Sequence, residues 1–297
     1  MQGKIKVILN AYGGSLGEQA KTALVEEGMQ TAGLDYQMEL TQYAGHAIEL
    51  ARHAAADGWP IIVAAGGDGT IHEVVNGLMQ ASEKEQGATL GIIPMGTAND
   101  LAEVMHLPRD VTAACQRIAA GNSRVIDVGT VNGQFFANNS AVGLEPVVTI
   151  NHEQMRRLKG NLRYLLAALK GIIQAKPWHM RLVWDDGTYE GSVTLVSVGN
   201  SNRTGGLFYM TPYAMLDDGL LDIVYALGLT RWQLLKLLPK TFKGDHIHHP
   251  MVRYLRSKSV SITASPCTPI QADGEVIDRT ATEVNYSIIA NKLRVIV

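Results

Sequence analysis

The feature that most constrains this chain is a glycine-rich turn, Gly66-Gly-Asp-Gly-Thr70. The apolar run before it, Ile61 to Ala65, is typical of a buried β-strand, and apolar residues recur at helical spacing after it. The turn therefore joins a strand to a helix, where backbone N–H groups and the helix N-terminus favour a phosphate. Asp68 would repel a bare anion, so we expect it to contact Mg²⁺, directly or through water.

A second loop of small residues favours the interpretation of these turns as a ligand site and disfavours a tight turn without a ligand. It runs from Met95 to Asp100 and follows another apolar strand, Thr89 to Pro94. Two earlier strand candidates end at Asn10 and Thr41. Helical patterns separate these strands, which predicts a parallel α/β sheet, and the carboxyl ends of its strands meet at one edge. We therefore expect these polar residues to form one site.

The pattern changes after Asp127 to short strand candidates separated by turn residues. This spacing is typical of an antiparallel sandwich or barrel-like domain, here interrupted by helical patterns at about 153–175 and 230–243. We therefore predict two domains, at 1–127 and 128–292. A final strand candidate near 293–297 could return to the first domain.

Composition excludes several classes of protein. A formal net charge of -2 does not support nucleic-acid binding, and the two cysteines have no metal or disulfide spacing. The apolar run near the N-terminus is too short for a signal peptide, and no run approaches the roughly 18 apolar residues that span a bilayer. We therefore expect a cytoplasmic protein.

Four blocks of residues together resemble the diacylglycerol kinase catalytic-domain family, bacterial soluble lipid kinases related to sphingosine and ceramide kinases. They occur in the family's order over nearly the whole chain: Gly66–Thr70 with Asn76, Pro94–Asp100, Gly205-Gly206 with Pro212 and Asp217–Asp222, and Asp273-Gly-Glu275. The chain departs from the family pattern where proline, leucine and arginine are common, at Ala11, Met95 and Glu103.

The resemblance implies an α/β plus all-β fold. The N-terminal domain would be a Rossmann-like parallel α/β domain that binds ATP, and the C-terminal domain an antiparallel β-sandwich with helical insertions that binds the lipid substrate. The active site would lie in the interdomain cleft. The implied ATP contacts are Asn10, Thr41, Gly66, Gly67, Asp68, Gly69, Thr70, Ile71, His72, Gly96 and Thr97.

The resemblance also implies metal and catalytic residues. Asp68 would lie near Mg²⁺, and Asp218 would form a second metal site with the carbonyl groups of Leu220 and Met215. Glu275, or Asp273 on the same face two residues earlier, would take the proton from the lipid hydroxyl.

The implied reaction transfers the γ-phosphate of ATP to a lipid hydroxyl, with diacylglycerol as the leading acceptor and phosphatidic acid as the product, a step in phospholipid biosynthesis. Phosphatidylglycerol, ceramide and a sphingoid base stay open as acceptors. An NAD kinase-like enzyme is an alternative that shares the first block but not the third. A catalytically silent nucleotide- or lipid-binding module is disfavoured by the retained carboxylates, Asp68, Asp100, Asp218, Asp273 and Glu275.

Two basic amphipathic segments are candidates for contact with a membrane surface. Six Lys or Arg residues and no acid lie between Arg156 and Lys176, and a second segment runs from Leu229 to Lys243. Such helices either pack on a domain or lie on anionic lipid. We expect peripheral contact with the inner membrane face, and a homodimer is left open. The run His246-Ile-His248-His249 lacks the spacing of a zinc site, so we interpret it as a solvated loop.

Overall fold

The computed structural model describes residues 4–12, 17–81, 87–155 and 160–297. The chain divides into two compact units. The first contains Met1–Asp127 and Asn291–Val297, and the second contains Val128–Ala290. Together they form a mixed α/β fold with a large antiparallel sheet.

The first unit alternates strands and helices. In chain order its elements are β1 (Ile5–Leu9), α1 (Glu18–Thr31), β2 (Tyr36–Leu40), α2 (His46–Ala56), β3 (Ile61–Gly66), α3 (Asp68–Ala81), β4 (Thr89–Pro94), α4 (Asp100–Val104) and α5 (Val111–Ala120). The four strands are parallel in the order β2-β1-β3-β4. Their carboxyl ends therefore lie at one edge of the sheet, as the sequence predicts.

Apolar side chains from the strands and from α1 and α5 form a core in this unit. Leu9, Val63 and Ile93 from the sheet pack with Met29 and Ile118 from the two helices. Each is buried to 1% exposure or less, and such burial contributes about 1.5–3 kcal/mol per side chain. This core holds the carboxyl ends of the strands in place.

The second unit is mainly antiparallel. Its elements, two of which extend beyond the unit, are β5 (Ser123–Val131), β6 (Gln134–Phe136), β7 (Asn139–Gly143), α6 (Leu144–Gln154), α7 (Gly160–Gln174), β8 (Trp178–Trp184), β9 (Gly187–Gly199), β10 (Leu221–Leu227), α8 (Arg231–Thr241), a 3₁₀ helix (Asp245–His248), β11 (Val252–Ser257), β12 (Ser259–Ala272) and β13 (Glu275–Ile296). The strand order is β11-β10-β9-β7-β12-β13, with β8 pairing β12 and β9.

The C-terminal end of β13 belongs to the first unit, where Val295 pairs in parallel with Leu90 of β4. Nearby, Oδ1 of Asp127 accepts a 2.7 Å hydrogen bond from the backbone N–H of Asn291. The final strand predicted near 293–297 is the end of the longer strand β13, in which Asn291 has a positive φ of 53°.

The helix predicted at about 153–175 is wrong in its extent, because two helices occupy this region. α6 begins at Leu144, directly after Gly143, whose φ of 83° marks the end of β7. α7 ends at Gln174. The predicted basic cluster of Arg156, Arg157 and Lys159 lies outside the described residues.

Candidate functional site

The turn after β3 is compact because a hydroxyl group fills the space beside its first glycine. A Cβ atom on Gly66 would lie 2.3 Å from Oγ1 of Thr70, so only glycine fits there. The same Oγ1 accepts a 3.0 Å hydrogen bond from Nδ2 of Asn10. The carboxyl end of β1 is therefore tied to the turn after β3.

The turns after β3 and β4 pack backbone against backbone. A Cβ atom on Gly96 would lie 2.5 Å from Cα of Gly67, and one on Gly67 would lie 3.1 Å from Cα of Gly96. The backbone N–H of Met95 also donates a 2.8 Å hydrogen bond to the carbonyl of Gly66. The two small-residue loops, Gly66–Thr70 and Met95–Asp100, therefore form one continuous backbone surface.

Asp68 holds these two turns together. Its Oδ2 accepts a 2.8 Å hydrogen bond from the backbone N–H of Asn99, and its Oδ1 accepts one of 2.6 Å from the N–H of Asp100. Bonds from N–H groups to a carboxylate are about twice as strong as neutral ones. Asp68 therefore has a structural role in the contact between the two turns.

The other residues of the predicted nucleotide site differ in how far they are exposed. Thr41 is buried next to β1, where its N–H donates a 3.0 Å hydrogen bond to the carbonyl of Leu9. Gly69 is half-buried and Thr97 is exposed. Ile71 and His72 are only 2% and 6% exposed, so neither residue presents much surface to a ligand.

Sequence reasoning missed two basic residues beside these turns. Nζ of Lys21, which is buried, donates a 3.0 Å hydrogen bond to the carbonyl of Asn10, and burial lowers the pKa of this lysine. Arg109 pairs with Glu103 at 2.5 Å, which balances the charge of an acid that departs from the family pattern. Lys21 and Arg109 line a cavity of about 210 Å³ together with Gly96. Lys21 could have been noticed as a lysine on the buried stripe of α1.

In the second unit, Asp273 and Gly274 form the tight turn between β12 and β13, with φ values of 48° and 86°. The Asp273 carboxylate is buried and accepts hydrogen bonds from three backbone N–H groups, those of Ala137 (2.9 Å), Asn138 (2.8 Å) and Asn139 (3.2 Å). Glu275, the first residue of β13, is exposed. Asp273 therefore belongs to the turn and not to a strand, so the two-residue spacing of a strand does not apply to this pair.

The predicted second metal site contains an arginine. The guanidinium of Arg256 contacts Oδ2 of Asp218 and lies 3.5 Å from Oδ2 of Asp222. Oδ1 of Asp218 accepts a 3.1 Å hydrogen bond from the N–H of Leu220, and the Met215 side chain is 51% exposed. Burial raises the pKa of Asp222 to about 6, although a hydrogen bond from Tyr254 opposes the rise. A cation at Asp218 would have to displace the guanidinium.

The described residues contain no group of three or more His, Cys, Asp or Glu side chains that could hold a metal ion. At Asp218 the guanidinium of Arg256 stands against the carboxylate, so the groups there do not fit a metal site in this arrangement. Asp68 fits a hydrated Mg²⁺ better, because Mg²⁺ keeps several waters and takes one or two carboxylates together with substrate phosphates.

The histidine run is not a solvated loop throughout. His246 is buried in the 3₁₀ helix, with Nε2 3.1 Å from the carbonyl of Met210, whereas His248 is exposed. Burial lowers the pKa of His246 to about 4. The interpretation as a solvated loop is therefore wrong for His246.

The amphipathic segments are helices with one buried face each. α8 begins at a capping box formed by Thr230 and Gln233, buries Leu234 and Leu237, and leaves Trp232 76% exposed. On α7, Leu162 is 59% exposed. No helix within the described residues is long and apolar enough to cross a membrane.

Comparison with known proteins assigns each half of the chain to a family model. The diacylglycerol kinase catalytic domain model matches residues 4–131. The YegS C-terminal NAD kinase beta sandwich-like domain model matches residues 139–297.

Curated relatives match over most of their length. A diacylglycerol kinase of Staphylococcus carnosus (strain TM300) is 31% identical over 280 residues, which cover 93% of this chain and 89% of the relative. One of Bacillus subtilis (strain 168) is 30% identical over 274 residues, covering 92% and 89%. A solved structure of a putative diacylglycerol kinase from Bacillus anthracis str. Sterne has a TM-score of 0.81 at 24% identity, covering 99% of this chain and 96% of that one. The last match shows a shared fold.

Proposed function

Because this chain belongs to the diacylglycerol kinase family, as its motifs predict, we propose that it is an ATP-dependent lipid kinase that converts diacylglycerol to phosphatidic acid. The observation that carries this proposal is the contact between the turns after β3 and β4, held by Gly67, Gly96 and Asp68. It supplies a backbone surface that a triphosphate could approach closely, at the edge of the sheet where ligands of α/β proteins bind.

In this proposal the nucleotide phosphates lie against the turns at Gly66–Thr70 and Gly96–Thr97, with Asn10 and Thr41 at the neighbouring strand ends. Phosphoryl transfer requires mainly positioning and neutralisation of charge. Lys21 and Arg109, which line the adjacent cavity, add positive charge next to Gly96. Mg²⁺ bound to the phosphates would offset their developing charge, with Asp68 holding its water shell.

We assign the general base to Glu275 in preference to Asp273. A base must be able to reach the proton that it takes, and the exposed Glu275 is accessible to a substrate hydroxyl. The Asp273 oxygens are already engaged by three backbone N–H groups. Glu275 accepts the hydroxyl proton while the lipid oxygen bonds to the γ-phosphorus and the bond from that phosphorus to ADP breaks.

We further propose that the protein works in the cytoplasm in peripheral contact with anionic lipid on the inner membrane face. The exposed Trp232 stands on α8 with basic residues on either side, Arg231, Lys236, Lys240 and Lys243. Each basic residue near an anionic surface contributes about 1 kcal/mol to binding. The homodimer stays a prediction.

A lipid panel with labelled ATP tests the proposed reaction. The purified protein is incubated with dispersed diacylglycerol, phosphatidylglycerol, ceramide, a sphingoid base or NAD, and the products are separated by thin-layer chromatography. We expect labelled phosphatidic acid from diacylglycerol. Label on NAD alone would support the NAD kinase-like alternative, and no labelled product with any acceptor would support the silent binding module.

A further inference from the structure

Two acids and an arginine meet at the edge of the sheet in the second unit. Strand β11 is the last strand in the order there, and it pairs antiparallel with β10. The register places Arg256 of β11 directly opposite Asp222 of β10. Side chains in directly opposite positions share one face of a sheet, with Cβ atoms about 4.5–5.5 Å apart. The backbone pairing therefore brings the guanidinium next to the Asp222 carboxylate.

Asp218 reaches the same guanidinium from the segment that precedes β10. It lies in a bend next to Gly219, which has a positive φ of 72°. Its Oδ2 contacts the guanidinium of Arg256, and its Oδ1 accepts a 3.1 Å hydrogen bond from the N–H of Leu220. Nε of Arg256 also lies 3.5 Å from Oδ2 of Asp222. One guanidinium therefore pairs with two carboxylates.

The two carboxylates need a positive charge because they are withdrawn from solvent. The side chain of Asp222 is 0% exposed, and that of Asp218 is 16% exposed. Oδ2 of each acid accepts no hydrogen bond within the described part of the chain. A buried carboxylate is costly unless a partner compensates its charge. Both of these oxygens face Arg256, so the guanidinium is the group that compensates them.

Tyr254 completes this cluster. It stands two residues before Arg256 on β11, and therefore on the same face of the strand. Its hydroxyl donates to Oδ1 of Asp222, and its ring packs edge-on against Tyr213 with the centroids 5.5 Å apart. The segment that carries Tyr213 and Asp218 is therefore attached to β10 and β11 by a ring contact and by the guanidinium.

A divalent cation at Asp218 would compete with this guanidinium. Mg²⁺ binds oxygen ligands at about 2.0–2.1 Å, so an ion on Oδ2 would stand against Arg256, and the two positive groups would repel each other. Arginine suits the position, because its guanidinium is always charged, is weakly hydrated and pairs readily with buried carboxylates. The side chain thus supplies the charge that a metal ion would otherwise bring.

We propose that Arg256 takes the place that the resemblance gives to a second metal ion. The segment before β10 is held by a side-chain cation, and the second unit needs no divalent cation for its stability. The inference is independent of the proposed kinase function, because it concerns the folding of the second unit and not the transfer of phosphate. The Mg²⁺ proposed near Asp68 belongs to the first unit and is not affected.

Urea unfolding of the full chain without nucleotide, in millimolar Mg²⁺ or in EDTA, tests the inference. A cation that binds only the folded protein stabilises it, so we expect the same wild-type midpoint in both solutions. Arg256→Gln leaves the two carboxylates without their counter-charge, and its midpoint in EDTA should fall by at least about 0.5 M. Mg²⁺ should restore part of that loss.

Arg253→Gln is the matched control on the same strand. Nη1 of Arg253 donates to the carbonyl groups of Pro250 (2.6 Å) and Val252 (3.1 Å) and not to a carboxylate. The substitution removes the same positive charge, so any general effect of net charge on unfolding should appear in both variants. We expect the midpoint of Arg253→Gln to be the same in Mg²⁺ and in EDTA.

Asp218→Asn keeps the test decisive if Arg256→Gln does not fold. The inference would be overturned if Mg²⁺ raised the wild-type midpoint and Asp218→Asn abolished that rise, because a metal ion would then bind at Asp218. A folded Arg256→Gln variant that unfolded like the wild type in EDTA, or that gained nothing from Mg²⁺, would overturn it as well. A protein that unfolded as we expect but transferred no phosphate would support this inference and contradict the kinase proposal alone.

Discussion

Gly67 and Gly96 lie so close that a Cβ atom on Gly96 would be 2.5 Å from Cα of Gly67. Each glycine follows a different strand of the parallel sheet, so their contact joins the turn after β3 to the turn after β4. Asp68 fastens the same pair of turns through the N–H groups of Asn99 and Asp100. Any change that separates the turns should therefore affect both the stability of the first unit and the binding of a nucleotide.

Gly96→Ala tests this contact. The added methyl group must push the turns apart, and overpacking of this kind costs about 1–3 kcal/mol. We expect a lower free energy of unfolding in urea and weaker ATP binding by calorimetry. Gly17→Ala is the control, because a Cβ atom there meets nothing within 4 Å and Gly17 has a negative φ of -71°. Equal stability and ATP affinity in Gly96→Ala and the wild type would contradict the packing argument.

Asp68→Asn keeps the size of the side chain but removes its charge and one acceptor. Hydrogen bonds to a charged group contribute about 1.5–3 kcal/mol. We therefore expect the free energy of unfolding in urea to fall by an amount of this order, together with a large fall in the rate of phosphoryl transfer. Asp185→Asn is a matched control in the second unit, where Asp185 accepts a 2.8 Å hydrogen bond from the N–H of Lys258. It should lose some stability and keep the wild-type rate.

Separate substitutions of Asp273 and Glu275 distinguish the proposed general base from the residue that stabilises the β12–β13 turn. Glu275→Gln should remove phosphoryl transfer while leaving urea unfolding nearly unchanged, since Glu275 is exposed. Asp273→Asn should lower the free energy of unfolding by about 1–3 kcal/mol, because it weakens acceptors for three buried N–H groups. A fully active Glu275→Gln variant would refute the assignment of the base.

The buried Glu145 predicts a pH dependence of stability. The folded protein raises the pKa of Glu145 from 4.5 to about 7, so the folded state binds this proton more tightly than the unfolded state. Stability should therefore fall as pH rises from about 4.5 to about 7, and a shift of this size corresponds to about 3 kcal/mol.

Glu145→Gln should remove that part of the pH dependence. Urea unfolding of wild type and variant at pH 5, 6, 7 and 8 measures it, and the difference between the two proteins isolates Glu145 from Asp222, whose pKa is raised in both. Glu190→Gln, at a side chain 60% exposed, is the control and should keep the wild-type curve. Parallel curves for wild type and Glu145→Gln would show that Glu145 ionises normally in the folded protein.

Trp232→Ala tests the contact with membranes. Loss of an exposed aromatic ring between basic residues should reduce sedimentation with vesicles that contain anionic phosphatidylglycerol, and added salt should reduce wild-type binding as well. Val183→Ala removes an exposed apolar side chain from β8 and serves as control. The proposal would be contradicted if the wild-type protein did not bind the vesicles, or if its binding did not respond to salt.

Local sequence patterns predicted the elements of the first unit well. Strands β3 and β4 lie within one residue of their predicted bounds, because each is an apolar run that ends at glycine or proline. In the second unit, β7 was missed. Its residues Asn139 and Ser140 look like a loop in sequence but are fully covered by neighbouring strands.

The sequence by itself determined the family, the alternation of strands and helices, and the glycine-rich turns that follow β3 and β4, since these depend on residues near one another in the chain. Only the tertiary structure decided that Asp273 accepts hydrogen bonds from three N–H groups, that Arg256 contacts Asp218, and that His246 is buried. Those outcomes depend on partners 36 to 136 residues away, and which side chain meets which is set by how strands and helices pack.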